Sequence, residues 1–121
     1  VLLVEDYKFI SRAYKDGLER EGFEIDTAFY GIEAIEKLRA SSPDLVLLDL
    51  ILPEKDGFAV LEEIQMDEAL KRIPVIILSN LGQESDIEKG RALGALDYLI
   101  KADVSMKDVI EKVKFYLAVV S

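Results

Sequence analysis

The residues best suited to chemistry in this sequence stand at the ends of short apolar runs. Glu5 and Asp6 follow the run VLLV, and Asp49 interrupts the longer run LVLLDLIL. A carboxylate inside such a run is costly to bury unless a cation or a hydrogen-bond donor pairs with it. Ser79 and Lys101 end two later runs, VIILS and ALDYLIK. If the fold brings these five residues together, they form a site with three acids, one hydroxyl and one ammonium group.

The three acids predict a site for a divalent cation. Carboxylates that converge on one point repel one another at neutral pH, and a bound cation relieves that repulsion. The chain contains neither histidine nor cysteine, so the usual ligands of zinc are missing. Magnesium typically binds a few carboxylates and keeps several waters. We therefore expect Mg2+ at Glu5, Asp6 and Asp49, with Lys101 as a second source of positive charge beside Asp49.

The elements that must position these residues alternate between strands and helices. Apolar runs typical of buried strands are followed by segments whose apolar residues have helical spacing, and this βα pattern occurs five times. Continuous apolar strands between helices indicate a parallel sheet covered on both faces. Ligands of such sheets bind beyond the carboxyl ends of the strands, where the candidate residues stand. The predicted strands cover Val1–Glu5, Phe23–Phe29, Leu45–Asp49, Val75–Ser79 and Ala95–Lys101.

Composition limits the classes of function. A chain of 121 residues has the size of one domain. Its net charge of −9 argues against non-specific binding of nucleic acid by this domain. No apolar stretch approaches the roughly 20 residues that span a membrane, and no leader segment is visible. The absence of cysteine fits a reducing compartment. We expect a cytoplasmic domain without membrane or nucleic-acid contacts of its own.

These motifs resemble the receiver domain of bacterial two-component response regulators. The resemblance extends over the whole chain and rests on the acidic pair Glu5-Asp6 and on three longer segments, PDLVLLDLILPEKDG (Pro43–Gly57), PVIILS (Pro74–Ser79) and GALDYLIK (Gly94–Lys101). It implies an α/β fold of the flavodoxin-like (βα)5 type, a three-layer sandwich whose five-stranded parallel sheet has the order 2-1-3-4-5. It also implies that residues 1–121 form a single receiver domain and that any output domain lies outside this chain.

The resemblance assigns the chemistry to Asp49. In the family, the matching aspartate accepts a phosphoryl group from a phosphohistidine of a sensor histidine kinase or a histidine phosphotransfer protein. The family also implies that Mg2+ is held by Glu5, Asp6, Asp49 and the backbone carbonyl of Ile51. Such a domain is a signalling module rather than an enzyme, since it promotes only its own phosphorylation and dephosphorylation.

The same resemblance gives Lys101 and Ser79 catalytic roles beside Asp49, and it makes Ser79 and Tyr98 the switch residues. Ser79 matches the residue whose hydroxyl moves to the phosphoryl group, and Lys101 matches the lysine that pairs first with the aspartate and then with the phosphate. Tyr98 matches the aromatic residue that changes rotamer on activation. We expect the face formed by the fourth helix, the fifth strand and the fifth helix to change and to bind an output partner or a second copy. Gly90 weakens the fourth helix, since a helix-favouring residue there would stabilise the helix by about 1 kcal/mol relative to glycine.

Two departures from the family pattern matter, one beside Lys101 and one at the residues that flank the site. The family usually has proline after the lysine, with a cis peptide bond between them, but Ala102 follows Lys101 here. Either the chain keeps a non-proline cis bond at a cost of about 3 kcal/mol, or the loop is trans and slightly re-routed. The residues two beyond Asp49 and Ser79 are the apolar Ile51 and Leu81. In the family, these positions often influence the access of hydrolytic water.

Three alternative functions fit the sequence less well than the receiver interpretation. A phosphohydrolase of the haloacid-dehalogenase type would need a second aspartate where Ile51 stands. A flavodoxin would carry a phosphate-binding first loop, and the acids Glu5 and Asp6 would repel a phosphate there. A receiver-shaped module that is never phosphorylated would not need the complete set of acids, hydroxyl and lysine. Phosphorylation by a small phosphodonor such as acetyl phosphate distinguishes a working receiver domain from the last alternative.

Overall fold

The computed structural model of the chain describes residues 1–120, and the last residue of the expected domain, Ser121, lies outside them. Its strands are β1 (Leu2–Val4), β2 (Asp26–Ala28), β3 (Val46–Leu48), β4 (Val75–Ser79) and β5 (Asp97–Ile100). Its α-helices are α1 (Lys8–Arg20), α2 (Gly31–Ser41), α3 (Gly57–Met66), α4 (Glu84–Ala92) and α5 (Met106–Val120). A short 3-10 helix, Lys101–Asp103, joins β5 to α5. None of the helices within residues 1–120 has the length and hydropathy that a bilayer-spanning helix requires.

The five strands form one parallel sheet in the order β2-β1-β3-β4-β5, which confirms the predicted flavodoxin-like topology. The order reverses beside β1, because β1 pairs with β2 on one side and with β3 on the other. In open α/β sheets, ligands bind beyond the carboxyl ends of the strands at such a point. The fold therefore places its ligand edge where β1, β3 and β4 end.

Two apolar cores lie on opposite faces of the sheet, because successive side chains of a strand point to opposite sides. On β3, Val46 and Leu48 face the core covered by α2 and α3. Leu47, between them, faces the core covered by α1 and α5. Each core is completed by an apolar stripe of the helices, such as Val109 and Val113 of α5, both fully buried. The three layers follow from this alternation.

The predicted second strand is too long. The sequence predicts a strand over Phe23–Phe29, whereas β2 covers Asp26–Ala28 alone. The N–H of Phe23 donates to Leu18 O at 3.3 Å, so the chain just before β2 is still bonded to the end of α1. Phe23 and Ile25 pack against the α1–α5 core without pairing. The apolar residues before β2 thus reflect packing rather than strand pairing. The position of β2 at a sheet edge, which the predicted order 2-1-3-4-5 implies, is confirmed.

Gly90 lies where α4 packs closely on the sheet. Glycine is a poor helix former, but the prediction that a larger residue would suit this position better leaves out its neighbours, since Ile77 and Tyr98 would have to shift to admit one. A Cβ atom at Gly90 would lie 2.5 Å from Ile77 Cδ1 and 3.2 Å from Tyr98 Cδ2. The glycine therefore allows α4 to lie close to β4 and β5. It is also the only residue of α4 that is buried, so this helix contributes little to the core.

Candidate functional site

Two acids are brought together by the pairing of β1 with β3. Val4 and Leu48 are partners in the parallel register, so the next residues, Glu5 and Asp49, end neighbouring strands. The N–H of Asp49 donates to Val4 O at 3.0 Å, which fixes the backbone of Asp49 beside β1. Glu5 is only 2% exposed and Asp49 5%, whereas Asp6 is exposed. One carboxylate oxygen from each of the three acids lies within 4.8 Å of the others.

Lys101 reaches this acidic cluster from the end of β5. Its Nζ atom lies 2.7 Å from Asp49 Oδ2 and also contacts Glu5 Oε1. The Lys101 side chain is largely buried, so both contacts form in surroundings of low polarity. The peptide bond from Lys101 to Ala102 is trans, and the chain continues directly into the 3-10 helix. Of the two possibilities left by the missing proline, the structure has the trans loop, and Lys101 still pairs with Asp49.

The charges of the buried groups stabilise one another. Burial raises the pKa of Glu5, and hydrogen bonds from Lys101 and from the Tyr7 N–H, at 3.0 Å, oppose that rise. Burial of Lys101 by itself would lower its pKa, but hydrogen bonds to Asp49 and Glu5 outweigh burial and raise the pKa of Lys101. The ammonium group therefore stays charged at neutral pH and holds two carboxylates close together.

Ser79 and Tyr98 are linked through the loop that follows β4. Ser79 is fully buried at the end of β4, and its Oγ accepts the N–H of Leu81 at 3.3 Å. The hydroxyl of Tyr98 donates to the carbonyl oxygen of Leu81. Burial and the charges of Asp86 and Asp49 raise the pKa of Tyr98 to about 12, so the phenol remains a donor at neutral pH. In this structure the ring of Tyr98 is buried, and its hydroxyl holds the loop.

The chain after Asp49 folds back closely on the aspartate. The N–H of Ile51 donates to Asp49 Oδ1 at 3.2 Å. Gly57, at the start of α3, donates its N–H to Leu50 O at 2.9 Å. A Cβ atom at Gly57 would collide with the carbonyl oxygen of Asp49 and with Leu50, so only glycine permits this approach. Asp56 caps α3 by accepting the N–H of Ala59 at 3.1 Å, which fixes where the helix begins.

The donor set fits a hard divalent cation. Glu5, Asp6 and Asp49 offer carboxylate oxygens alone, and their ligand atoms are close enough to share one ion. Within residues 1–120, this is the one group of three acids that meets that condition. Oxygen ligands of this kind suit Mg2+ or a cation of similar character.

The structure brings Glu5, Asp6, Asp49 and Lys101 into one cluster. Ser79 ends the strand between those of Asp49 and Lys101, and Tyr98 is bonded to the loop that follows Ser79. Two residues with a structural part in the site were not assigned a role from sequence. Gly57 belongs to a quoted motif, but its contact with the Asp49 backbone depends on the fold. Asn80 accepts the N–H of Ala102 at 3.0 Å across a separation of 22 residues. Its one sequence signal is its position directly after Ser79.

Comparison with known proteins identifies the family. The model of the response regulator receiver domain matches residues 1–114. The chain is 40% identical to the chemotaxis protein CheY of Treponema pallidum over 116 residues, which cover 93% of this chain and 78% of that protein. It is 35% identical to the polar-differentiation response regulator DivK of Brucella ovis, over 97% of this chain and 94% of DivK. The chain belongs to the receiver domains of two-component response regulators, a family of signalling domains.

Solved structures share the fold. The receiver domain of the Francisella response regulator 1452 superposes with a TM-score of 0.92 at 28% identity, over 99% of this chain and 97% of that one. The phosphorylated cyanobacterial phytochrome response regulator RcpA superposes with a TM-score of 0.80 at 39% identity, over 95% of this chain and 88% of that one. The Mn(2+)-bound form of the response regulator Rcp1 superposes with a TM-score of 0.84 at 34% identity, over 99% of this chain and 95% of that one.

Proposed function

We propose that Asp49 is the phosphoacceptor of this receiver domain and takes its phosphoryl group from a phosphohistidine of a sensor histidine kinase or a histidine phosphotransfer protein. The observation that carries the proposal is the position of the Lys101 ammonium, 2.7 Å from Asp49 Oδ2, at a cluster of three acids. The phosphorylated structure of RcpA, a relative of the same fold, supports it.

In the proposed step, a carboxylate oxygen of Asp49 attacks the phosphorus atom in line with the phosphorus–nitrogen bond of phosphohistidine. The new oxygen–phosphorus bond makes an acyl phosphate, the phosphorus–nitrogen bond breaks, and the imidazole of the donor leaves with the bonding electron pair and takes up a proton. No base from this chain is needed, because a carboxylate oxygen attacks without losing a proton. The phosphoryl oxygens carry negative charge, so catalysis consists mainly of positioning and charge stabilisation.

Residues of this chain can supply part of that stabilisation. The Lys101 ammonium already faces Asp49 and can donate to a phosphoryl oxygen. The buried Ser79 hydroxyl stands at the adjacent strand end and can donate to another. We propose Glu5, Asp6, Asp49 and the Ile51 carbonyl as the residues that hold Mg2+. Bound Mg2+ supplies positive charge that offsets the repulsion between the carboxylates and the incoming phosphoryl group. The Mn(2+)-bound form of Rcp1 supports a divalent cation in this fold.

We further propose that phosphorylation switches the α4-β5-α5 face, where an output domain, a partner protein or a second copy of the chain binds. Leu81 connects Ser79 with Tyr98, because its N–H donates to the Ser79 hydroxyl oxygen and its carbonyl oxygen accepts a hydrogen bond from the Tyr98 hydroxyl. A shift of Ser79 toward a phosphoryl group would therefore disturb the hydrogen bond that holds Tyr98. Such a shift would alter α4, which lies against Tyr98 at Gly90.

Incubation with acetyl phosphate and Mg2+ tests the phosphoacceptor directly, with phosphate incorporation followed by intact-protein mass spectrometry. The wild-type chain should gain one phosphoryl group, and Asp49→Asn should gain none, because an amide cannot form the acyl phosphate. The matched control is Asp44→Asn, which changes an exposed acid five residues earlier and should react like the wild type. Undiminished incorporation in Asp49→Asn would overturn the assignment.

A further inference from the structure

Asn80 begins the loop that follows Ser79, and its side chain bonds this loop to the 3-10 helix that begins at Lys101. Ser79 pairs with Ile100 in the parallel register of β4 and β5. Asn80 and Lys101 are therefore the next residues beyond two neighbouring strand ends. The N–H of Ala102 donates to Asn80 Oδ1 at 3.0 Å. This hydrogen bond joins the residue after the serine to the residue after the lysine.

The bond acts where the backbone of Lys101 leaves the sheet. β5 ends at Ile100, and Lys101 begins a 3-10 helix of three residues, so the strand ladder holds Lys101 on its N-terminal side only. On the C-terminal side, the Asn80 side chain holds the next residue. Ala102 supplies the N–H for this contact, which a proline at the same position would lack. The position of the Lys101 ammonium depends on how firmly both sides are held.

A second hydrogen bond connects the same two segments. Leu81, the residue after Asn80, accepts the hydroxyl of Tyr98 through its carbonyl oxygen. The loop after β4 is thus bonded to β5 on one side of Lys101 and to the 3-10 helix on the other. A displacement of the Ser79 loop would be passed to Lys101 from both directions.

We propose that Asn80 is a positioning residue for phosphoryl transfer: through the Ala102 N–H, it holds the Lys101 ammonium in place against Asp49 and couples Lys101 to the Ser79 loop. This inference rests on the proposed function of Asp49 as phosphoacceptor. Asn80 acts on the reaction through Lys101, because its side-chain oxygen is engaged with the backbone of the neighbouring loop.

The test measures the rate of phosphate incorporation from acetyl phosphate with Mg2+. Asn80→Ala removes the acceptor and should slow incorporation by about 2- to 12-fold, the effect of losing one hydrogen bond of ordinary strength. Gln83→Ala is the matched control, since Gln83 is exposed in the same loop and makes no side-chain capping bond to α4. Hydrogen exchange of the Ala102 amide should accelerate in Asn80→Ala and stay unchanged in Gln83→Ala. Unchanged exchange in Asn80→Ala would overturn the inference.

A double-mutant cycle with Lys101 separates positioning from a general loosening of the loop. Lys101→Ala should slow the reaction, and adding Asn80→Ala to it should cause little further loss, because the group that Asn80 positions is gone. An equal loss from Asn80→Ala in both backgrounds would overturn the inference. Lys101→Met, which keeps the apolar stem of the side chain, replaces Lys101→Ala if that variant is unfolded at the assay temperature.

The outcomes distinguish the inference from the proposed function on which it rests. A wild-type chain that incorporates no phosphate overturns both. A wild-type chain that reacts, beside an Asn80→Ala variant that reacts equally fast, overturns the positioning role alone. A slower Asn80→Ala with faster exchange at Ala102 and no further loss in the Lys101→Ala background supports it.

Discussion

At the scale of single residues, the site is short of positive charge. One ammonium, that of Lys101, contacts two buried carboxylates, Glu5 and Asp49, and the exposed Asp6 adds a third acid within 4.8 Å. When all four groups are ionised, two negative charges remain without a partner among them. A divalent cation bound beside the largely buried lysine would balance that excess.

The phosphoryl group should have a long lifetime on Asp49, because the residues two positions beyond Asp49 and Ser79 are apolar and cannot orient water. These residues are Ile51, which is 55% exposed, and Leu81, whose N–H donates to the Ser79 hydroxyl oxygen. Polar side chains there could hydrogen-bond the attacking water, an effect worth about 1–3 kcal/mol in the barrier, or roughly 5- to 150-fold in rate. The double variant Ile51→Asn with Leu81→Glu should therefore lose phosphate faster by a factor in that range when dephosphorylation is followed with Mg2+ present.

The control for this experiment is Ile32→Asn, which changes another exposed isoleucine on α2, itself 48% exposed. Its phosphoryl group should decay at the wild-type rate. An unchanged or longer half-life in the double variant would show that Ile51 and Leu81 do not control the water. In that case, the loop containing Lys101 and Ala102 would be the first alternative to examine.

At the scale of the elements, strands were predictable because apolar runs end where the sheet ends. All strands but β2 begin and end within two residues of their predicted bounds. Before α5, Ser105 and Asp108 form a reciprocal capping box with hydrogen bonds of 2.8 and 3.1 Å, as the types and spacing of these two residues favour. The role of Gly90 and the Asn80–Ala102 bond could not be predicted. Both depend on the register between β4 and β5, which local patterns do not determine.

The α4 helix should be the part of the molecule that responds most to phosphorylation. It buries Gly90 alone, so few contacts oppose its local opening. Hydrogen exchange of the phosphorylated and unphosphorylated chains should differ around residues 80–104, which include the Ser79 loop, α4 and β5. Asp49→Asn treated with acetyl phosphate serves as the control and should show no change. A difference confined to α1 and α2 would contradict this prediction.

A second element-scale prediction concerns the attachment of α5 to β5. Asp97 accepts hydrogen bonds from the Tyr116 hydroxyl at 2.9 Å and from Lys112 at 3.0 Å. Burial would raise the pKa of Asp97, but Lys112, the Tyr98 N–H and the Tyr116 hydroxyl together lower the pKa below its usual 3.8. Because the folded state has the lower pKa, the stabilisation is complete above the usual value and is lost as pH falls through the lowered one.

Asp97→Asn should therefore be less stable than the wild type by about 1–2 kcal/mol near neutral pH, the contribution expected for hydrogen bonds to a charged group that is partly exposed to solvent. That difference should shrink as the pH falls below about 4. Urea unfolding across a pH series measures it, with Asp16→Asn, an exposed acid of α1, as the control. A stability difference that is independent of pH would contradict the role of the Asp97 charge.

At the scale of the whole molecule, the groups that hold the fold together are separate from the groups that form the site. The two apolar cores lie on the faces of the sheet, while the acids cluster beyond its carboxyl edge. Repulsion among Glu5, Asp6 and Asp49 opposes folding at one edge only, so the cores can tolerate it. A ligand that binds at that edge should therefore change the stability of the entire chain.

Mg2+ should raise the melting temperature of the chain. A ligand that binds only the folded state stabilises it by mass action, about 2.7 kcal/mol at a hundredfold excess over its dissociation constant. For a domain of this size, that free energy corresponds to a shift in melting temperature of roughly 5–20 °C.

Asp6→Ala tests whether this acid takes part in Mg2+ binding. The variant removes an exposed acid of the cluster, so it should fold and show a smaller shift, whereas the control Asp16→Ala should keep the full shift. The measurement compares melting curves in Mg2+ and in chelator at matched ionic strength. Coincident curves for the wild type would exclude Mg2+ binding in this form of the chain, and equal shifts for wild type and Asp6→Ala would remove Asp6 from the ligand set.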